Sequence, residues 1–92
     1  MTLHWNAKAL ADLVRLHAFL FPKSEQAAEK VYADLVAAPE RLLEDPAIGE
    51  RLTRFHPREV RRSIVGGLYE LWYERRGRRI VILRVWSTRE NR

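Results

Sequence analysis

Residues 68–89 read LYELWYERRGRRIVILRVWSTR, and the fold follows from how this stretch is parsed. It divides into two strands and a basic turn. Leu68 to Tyr73 is rich in the aromatic residues that suit a pleated surface. Glu74-Arg75-Arg76-Gly77-Arg78-Arg79 supplies the reversal, with Gly77 the one residue free to adopt positive φ. Ile80 to Trp86 is β-branched or aromatic apart from Leu83 and Arg84, as expected of a central strand apolar on both faces. Strict alternation puts Val81, Leu83 and Val85 on one side, expected to lie under the covering helices, and Ile80, Ile82, Arg84 and Trp86 on the other, expected on the open face. Arg84, Trp86 and Arg89 break the apolar pattern at the far end. The remaining chain has to supply a layer for this hairpin to pack against.

Upstream, Val60 to Val65 reads as the preceding strand, with Gly66-Gly67 as its turn. Ile48 to Phe55 reads as a further strand, loosened by Gly49 and closed by His56-Pro57. Pro39 to Pro46 is punctuated by proline at both ends and holds room for one short helical turn. The first third is helical in pattern. Leu3-His4-Trp5 forms a short edge strand, and Asn6 caps a helix from Ala7 to about Leu20. Its apolar stripe is Leu10, Leu13, Val14, His17 and Leu20/Phe21, leaving Lys8, Asp12 and Arg15 outside. After Pro22-Lys23-Ser24, with Ser24 as cap, a second helix buries Ala27, Ala28, Val31, Leu35 and Val36. Glu25, Glu29, Lys30 and Asp34 then face water.

The predicted fold is therefore α+β. An N-terminal strand and an antiparallel helical hairpin pack on one face of a mainly antiparallel three- to four-stranded sheet, whose other face stays partly open. At 92 residues the chain is expected to form a single domain over 1–92. An apolar content of 47% argues against disorder. No cysteine is present, which excludes disulfides and thiolate metal sites. His4, His17 and His56 lie far apart with no ligand spacing, so no metal or cofactor is expected. The first residues lack the pattern of a secretory signal and no apolar run approaches the ~20 residues of a membrane span, so the expected compartment is the cytoplasm and no membrane partner is expected.

Charge is unevenly distributed. Residues 1–50 carry five Lys/Arg against eight Asp/Glu, while residues 51–92 carry twelve Arg against four Glu. Every basic residue of the second half is arginine, the side chain suited to bidentate contact with phosphate or carboxylate. Such a half attracts nucleic acid or an acidic protein partner. The plain alternative is a sheet edge kept soluble by charge.

The whole chain resembles the ParE/RelE superfamily of bacterial toxins from type II toxin–antitoxin pairs. The resemblance is carried by Trp5 to Leu13 (WNAKALADL), Leu42 to Leu52 (LLEDPAIGERL), Arg58-Glu59-Val60, GLYELWYE from Gly67 and IVILRVWSTRE from Ile80. It implies one of two activities: ribosome-dependent cleavage of mRNA in RelE-like members, or poisoning of DNA gyrase without chemistry in ParE-like members. Leu83-Arg84-Val85 after Ile80-Val81-Ile82, and the P-x-x-G of Pro46 to Gly49, are more similar to ParE. The resemblance also implies a cognate antitoxin with a ribbon-helix-helix DNA-binding domain and a flexible tail, forming a toxin–antitoxin hetero-oligomer. That tail is expected to be acidic and amphipathic, and its capture to weaken with salt.

Chemistry separates the two activities. Cutting RNA through its 2′-hydroxyl needs a base, an acid and charge stabilisation. Arginine serves only the last of these. Glu70 stands where the RelE pattern has an arginine, and no tyrosine follows Tyr73. The reading is thus a gyrase inhibitor rather than an enzyme, with Arg84, Trp86, Arg89, Arg61 and Arg62 as candidates for contact with partners. Arg61 and Arg62 alternate across a strand, so only one shares a face with Arg84. The alternative, a ribonuclease, would draw on Arg89, Arg62 or Arg61, with His56 as its general base. A third reading is a toxin-derived module that binds its antitoxin without toxicity. Arg75, Arg76, Arg78 and Arg79 could grip a nucleic-acid backbone, although a basic turn also serves solubility alone. Tyr69 and Tyr73 are assigned to the core.

Overall fold

The computed structural model describes residues 1–90. Its elements are β1 (Thr2–Trp5), α1 (Ala7–Leu20), α2 (Glu25–Ala37), α3 (Glu40–Glu44), β2 (Glu50–Arg51), a 3-10 turn (Thr53–Phe55), β3 (Glu59–Val65), β4 (Tyr69–Arg76) and β5 (Arg79–Ser87). The five strands form one sheet in the order β1-β5-β4-β3-β2. β1 pairs parallel to β5, and the remaining pairs are antiparallel. α1 lies on β5 and α2 packs against α1. This is the expected α+β arrangement, with the N-terminal strand on the outer edge of β5. Among the described residues no helix is long and apolar enough to cross a membrane.

Both predicted caps form: the Asn6 side chain accepts from the Ala9 N–H at 2.9 Å, and Ser24 accepts from the Ala27 N–H at 3.1 Å. The core between helices and sheet is built from Ala9, Leu13 and Leu16 of α1, Leu35 of α2, Leu42 of α3, and Leu71, Tyr73, Ile80, Ile82 and Val85 of the sheet.

Five local readings need correction. On α1 the buried positions are Ala9, Asp12, Leu13 and Leu16, whereas Leu10 and Val14 are 50% and 66% exposed. The expected stripe was rotated by about one residue, because a helix apolar on two flanks gives its period without its orientation. Likewise Ala27 and Val36 of α2 are exposed, leaving Ala28 and Leu35 buried. His17 is half-buried on the flank facing α2, where its Nε2 lies 3.1 Å from Glu29.

The strand expected from Ile48 to Phe55 shrinks to two residues before the 3-10 turn. The reversal between the last strands is also tighter than expected: Arg76 pairs with Arg79, so the loop is Gly77-Arg78 alone, with Gly77 at φ 59.

On β5, Ile80 and Ile82 join the core under the helices, and Val81 faces away. Trp72 pairs with Arg84 while Tyr73 pairs with Ile82, so Leu83 is an extra, bulged residue. The bulge resets alternation: Val85 points inward, and Arg84 and Trp86 point to the open face as expected. A count of every second residue cannot register an inserted one.

Candidate functional site

The register of β3, β4 and β5 writes the open face as rows of three. Arg62, Trp72 and Arg84 form the central row, flanked by Ile64-Glu70-Trp86 on one side and Val60-Glu74-Val81 on the other. The 3-10 turn adds Phe55, giving a ladder of rings across the strands. Phe55 and Trp72 meet edge to face at 6.2 Å, and Trp72 and Trp86 at 5.8 Å. Guanidinium groups lie over these rings: Arg54 is 5.0 Å from both Phe55 and Trp72, and Arg84 is 4.1 Å from Trp86.

Carboxylates underneath hold the arginines in place. Glu70, only 2% exposed, accepts from Trp72 Nε1 at 3.0 Å and lies 3.9 Å from Arg62. Glu74 accepts two bonds from Arg58, at 2.9 and 2.8 Å, and another from Arg76 at 2.8 Å. The Arg58 hydrogen bonds outweigh burial and, with Arg76, pull the Glu74 carboxyl down to about 2. Trp86 Nε1 is buried without a hydrogen-bond partner among the described residues.

Arg84 is fixed from the helix side. β1 accompanies β5 only as far as Ile82, whose carbonyl accepts the Asn6 N–H at 3.1 Å; the chain then turns into α1. Beyond that point α1 side chains take over the exposed strand edge. Asp12 accepts the Val85 N–H at 2.9 Å, and Arg15 donates to the Val85 carbonyl at 3.3 Å. Asp12 also takes Arg84 at 2.8 and 3.0 Å. Burial pushes the Asp12 carboxyl up, but the bonds from Arg84, Val85 and Arg15 and the Arg84 charge win, leaving it below the ordinary carboxylate range. Arg15 continues to Glu90, which in turn caps the Ser87 N–H at 2.7 Å. The sequence reading left Asp12 in solvent; a strand edge abandoned by its neighbour is what draws it in.

The candidates separate into distinct places. Arg62, Arg84 and Trp86 share the open face. Arg61 lies on the opposite face, bonded to Glu59 at 2.9 Å and to the Gly49 carbonyl at 2.8 Å. There it helps Tyr73 pin the Pro46–Gly49 loop: the Tyr73 hydroxyl donates to Pro46 O at 2.9 Å and accepts from the Gly49 N–H at 3.0 Å. A Cβ on Gly49 would sit 2.7 Å from Arg62 O and 2.8 Å from that hydroxyl, so this approach requires glycine. Arg89 is exposed and lines a cleft with Arg15, Phe19, Leu68, Tyr69 and Glu90. His56 is exposed in the loop before β3 and lines neither that cleft nor the one containing Arg62. Glu70, Glu74, Arg54 and Phe55 were missed as parts of the face. Glu70-x-Trp72-x-Glu74 on one strand was the available signal, since period two places all three side by side.

Comparison with known proteins agrees with this architecture. The family model described as the ParE toxin of type II toxin-antitoxin system, parDE, matches residues 3–92. Among solved structures, a chain of the chromosomal ParDE toxin–antitoxin system from P. aeruginosa superposes with a TM-score of 0.79 at 25% identity, covering 95% of each chain. No curated protein matches the sequence.

Proposed function

This chain belongs to the ParE toxin family of type II toxin–antitoxin systems, and from that premise we propose that it acts in the cytoplasm, as one domain, by binding and inhibiting DNA gyrase. The observation that carries the reading is the ring ladder Phe55-Trp72-Trp86 with Arg54, Arg62 and Arg84 set over and beside it. Tryptophan and arginine on a rigid, partly desolvated surface are the side chains that dominate protein–protein binding energy. Their carboxylate partners fix rotamers in advance, which lowers the entropy cost of docking. Glu74 and Asp12, both held ionised, serve as anchors for arginine and are poorly suited to carrying a proton at neutral pH.

Neutralisation by a cognate ribbon-helix-helix antitoxin is assigned to a different surface. Successive clefts run from Arg15, Phe19 and Arg89, past Lys30, Val31 and Val65, to Arg41, Leu42 and Ile48. Apolar positions alternating with cations suit an acidic, amphipathic tail. Capture of that tail should weaken as salt rises.

A supercoiling assay with purified gyrase tests the proposal. Supercoiling should stop on adding the toxin and recover on adding the antitoxin. Trp72→Ala and Arg62→Ala should lose inhibition while still binding antitoxin. Untouched supercoiling together with cleavage of ribosome-bound message would replace this reading with the ribonuclease one. Growth unaffected by expression without antitoxin would favour a non-toxic binding module.

A further inference from the structure

Four arginines of the second half, Arg75, Arg76, Arg78 and Arg79, cluster at the β4–β5 turn, at one pole of the sheet. Glu59 pairs with Arg75 and Arg76 with Arg79, so the Gly77-Arg78 turn and the segment between β2 and β3 lie at the same end of the sheet. Arg75, Arg76, Arg78 and Arg79 come from the turn and its flanks, whereas Arg54 and Arg58, which come from that segment, lie over Phe55 and belong to the open face. The carboxylates there are already engaged: Glu59 by Arg61, and Glu74 by Arg58 and Arg76. Arg75, Arg78 and Arg79 are exposed and have no carboxylate partner among the described residues. The turn is held in place, since the Thr2 N–H donates to Arg78 O at 2.9 Å and β1 pairs with β5 up to Arg79.

What this pole lacks identifies its partner. Among the described residues the exposed aromatic side chains, Phe19, Phe21 and Tyr32, all belong to the helical hairpin, and the exposed Met1 precedes the Thr2 that pairs with Arg79 at the pole. A protein interface needs apolar or aromatic anchors at its centre. Single-stranded nucleic acid needs exposed rings on which bases stack. A cluster of guanidinium groups with neither suits the phosphates of a duplex. One strand pair wide, the tip fits the mouth of a B-form major groove of about 12 Å, and is excluded from the narrow major groove of A-form RNA. We propose that this pole grips the phosphate backbone of duplex DNA without reading its sequence.

The test is fluorescence anisotropy of the purified full chain on a labelled duplex of arbitrary sequence, titrated at several salt concentrations. Four phosphate contacts give a slope of log K against log salt near −3.6, or about 150-fold weakening between 50 and 200 mM salt. Arg75→Ala/Arg78→Ala/Arg79→Ala should lower that slope to about −1. Lys8→Ala/Lys23→Ala/Lys30→Ala removes the same charge elsewhere and should leave it near the wild-type value. An unchanged slope in the arginine variant would overturn the assignment, and so would an equal loss in the lysine variant, which would reduce the effect to net charge. Equal affinity for duplex RNA, or displacement of the duplex by equimolar polyglutamate, would refute the choice of DNA.

Discussion

Replacing Asp12 by asparagine removes one charge while keeping shape, and so isolates the clasp between α1 and β5. Asp12 is 3% exposed and accepts four bonds: from the Val85 N–H, twice from Arg84, and at 3.3 Å from Arg15. An asparagine oxygen can keep the Val85 bond, but its amide group then turns donors toward the guanidinium. Breaking a fully buried ion pair costs ~3–5 kcal/mol. The Arg84 side chain retains 32% exposure, so water compensates in part, and a loss of ~2–3 kcal/mol is expected for Asp12→Asn. Asp12→Ala should cost more, because it also orphans the Val85 N–H. At ~4–8 °C per kcal/mol for a domain of this size, Asp12→Asn should lower Tm by roughly 10–20 °C. Urea unfolding followed by tryptophan fluorescence gives the free energy directly, and an unchanged m-value would show that the unfolded state is not the cause. A double-mutant cycle with Arg84→Gln should return a coupling of ~1–2 kcal/mol. Stability within ~0.5 kcal/mol of wild type, or a coupling near zero, would refute the view that α1 closes the strand edge.

Tyr73→Phe should destabilise by ~2–3 kcal/mol, since it strips the buried Gly49 N–H and Pro46 carbonyl of their shared hydroxyl; calorimetry decides. Leu13→Ala should cost ~2–4 kcal/mol, whereas Val14→Ala one residue later should stay within ~0.5, a direct check by urea unfolding on which flank of α1 faces the sheet. Because the Glu74 carboxyl falls from 4.5 to about 2 on folding, the stability it contributes is present above pH 4.5 and disappears as pH falls toward 2. Asp12, also lowered, acts with the same sign. Thermal melts across that window should therefore show a steeper acid loss for wild type than for Glu74→Gln.

The parts of the fold legible from sequence are those governed by local rules. Asn6 and Ser24 announce helix starts through side-chain caps, Gly66-Gly67 and Gly77 mark turns, and the aromatic and β-branched runs of β4 and β5 mark strands. What escaped depends on partners distant in the chain. Asp12 looks like any solvated helix carboxylate until Val85 and Arg84, more than seventy residues away, are brought against it. The bulge at Leu83 has no composition of its own, yet it reverses which residues of β5 face the helices. The candidate site was legible in kind, as arginine and tryptophan on an open face, but not in membership. Alternation showed that only one of Arg61 and Arg62 could share that face without showing which, and Arg89 belongs to a cleft beside α1. Glu70 and Glu74, read as ordinary strand residues, are what hold the arginines still.

That fixing of arginines by carboxylates separates two kinds of basic surface on one small chain. On the open face Arg58, Arg62 and Arg84 each have a carboxylate within 4 Å, so much of their long-range field is cancelled inside the molecule. What remains for a partner is geometry: flat guanidinium groups, unused N–H donors and ring edges in fixed positions. At the β4–β5 tip Arg75, Arg78 and Arg79 carry uncancelled charge and little shape. Added salt screens the second far more than the first, because exposed charges interact over the Debye length while fixed short contacts do not. Inhibition through the open face should thus persist from 50 to 200 mM salt, while association with duplex DNA falls by about two orders of magnitude over the same range. Parallel salt titrations of supercoiling inhibition and duplex binding put the two surfaces on one axis. If both declined together, the open face would be acting as a diffuse cationic patch, and its internal ion pairs would have no part in recognition.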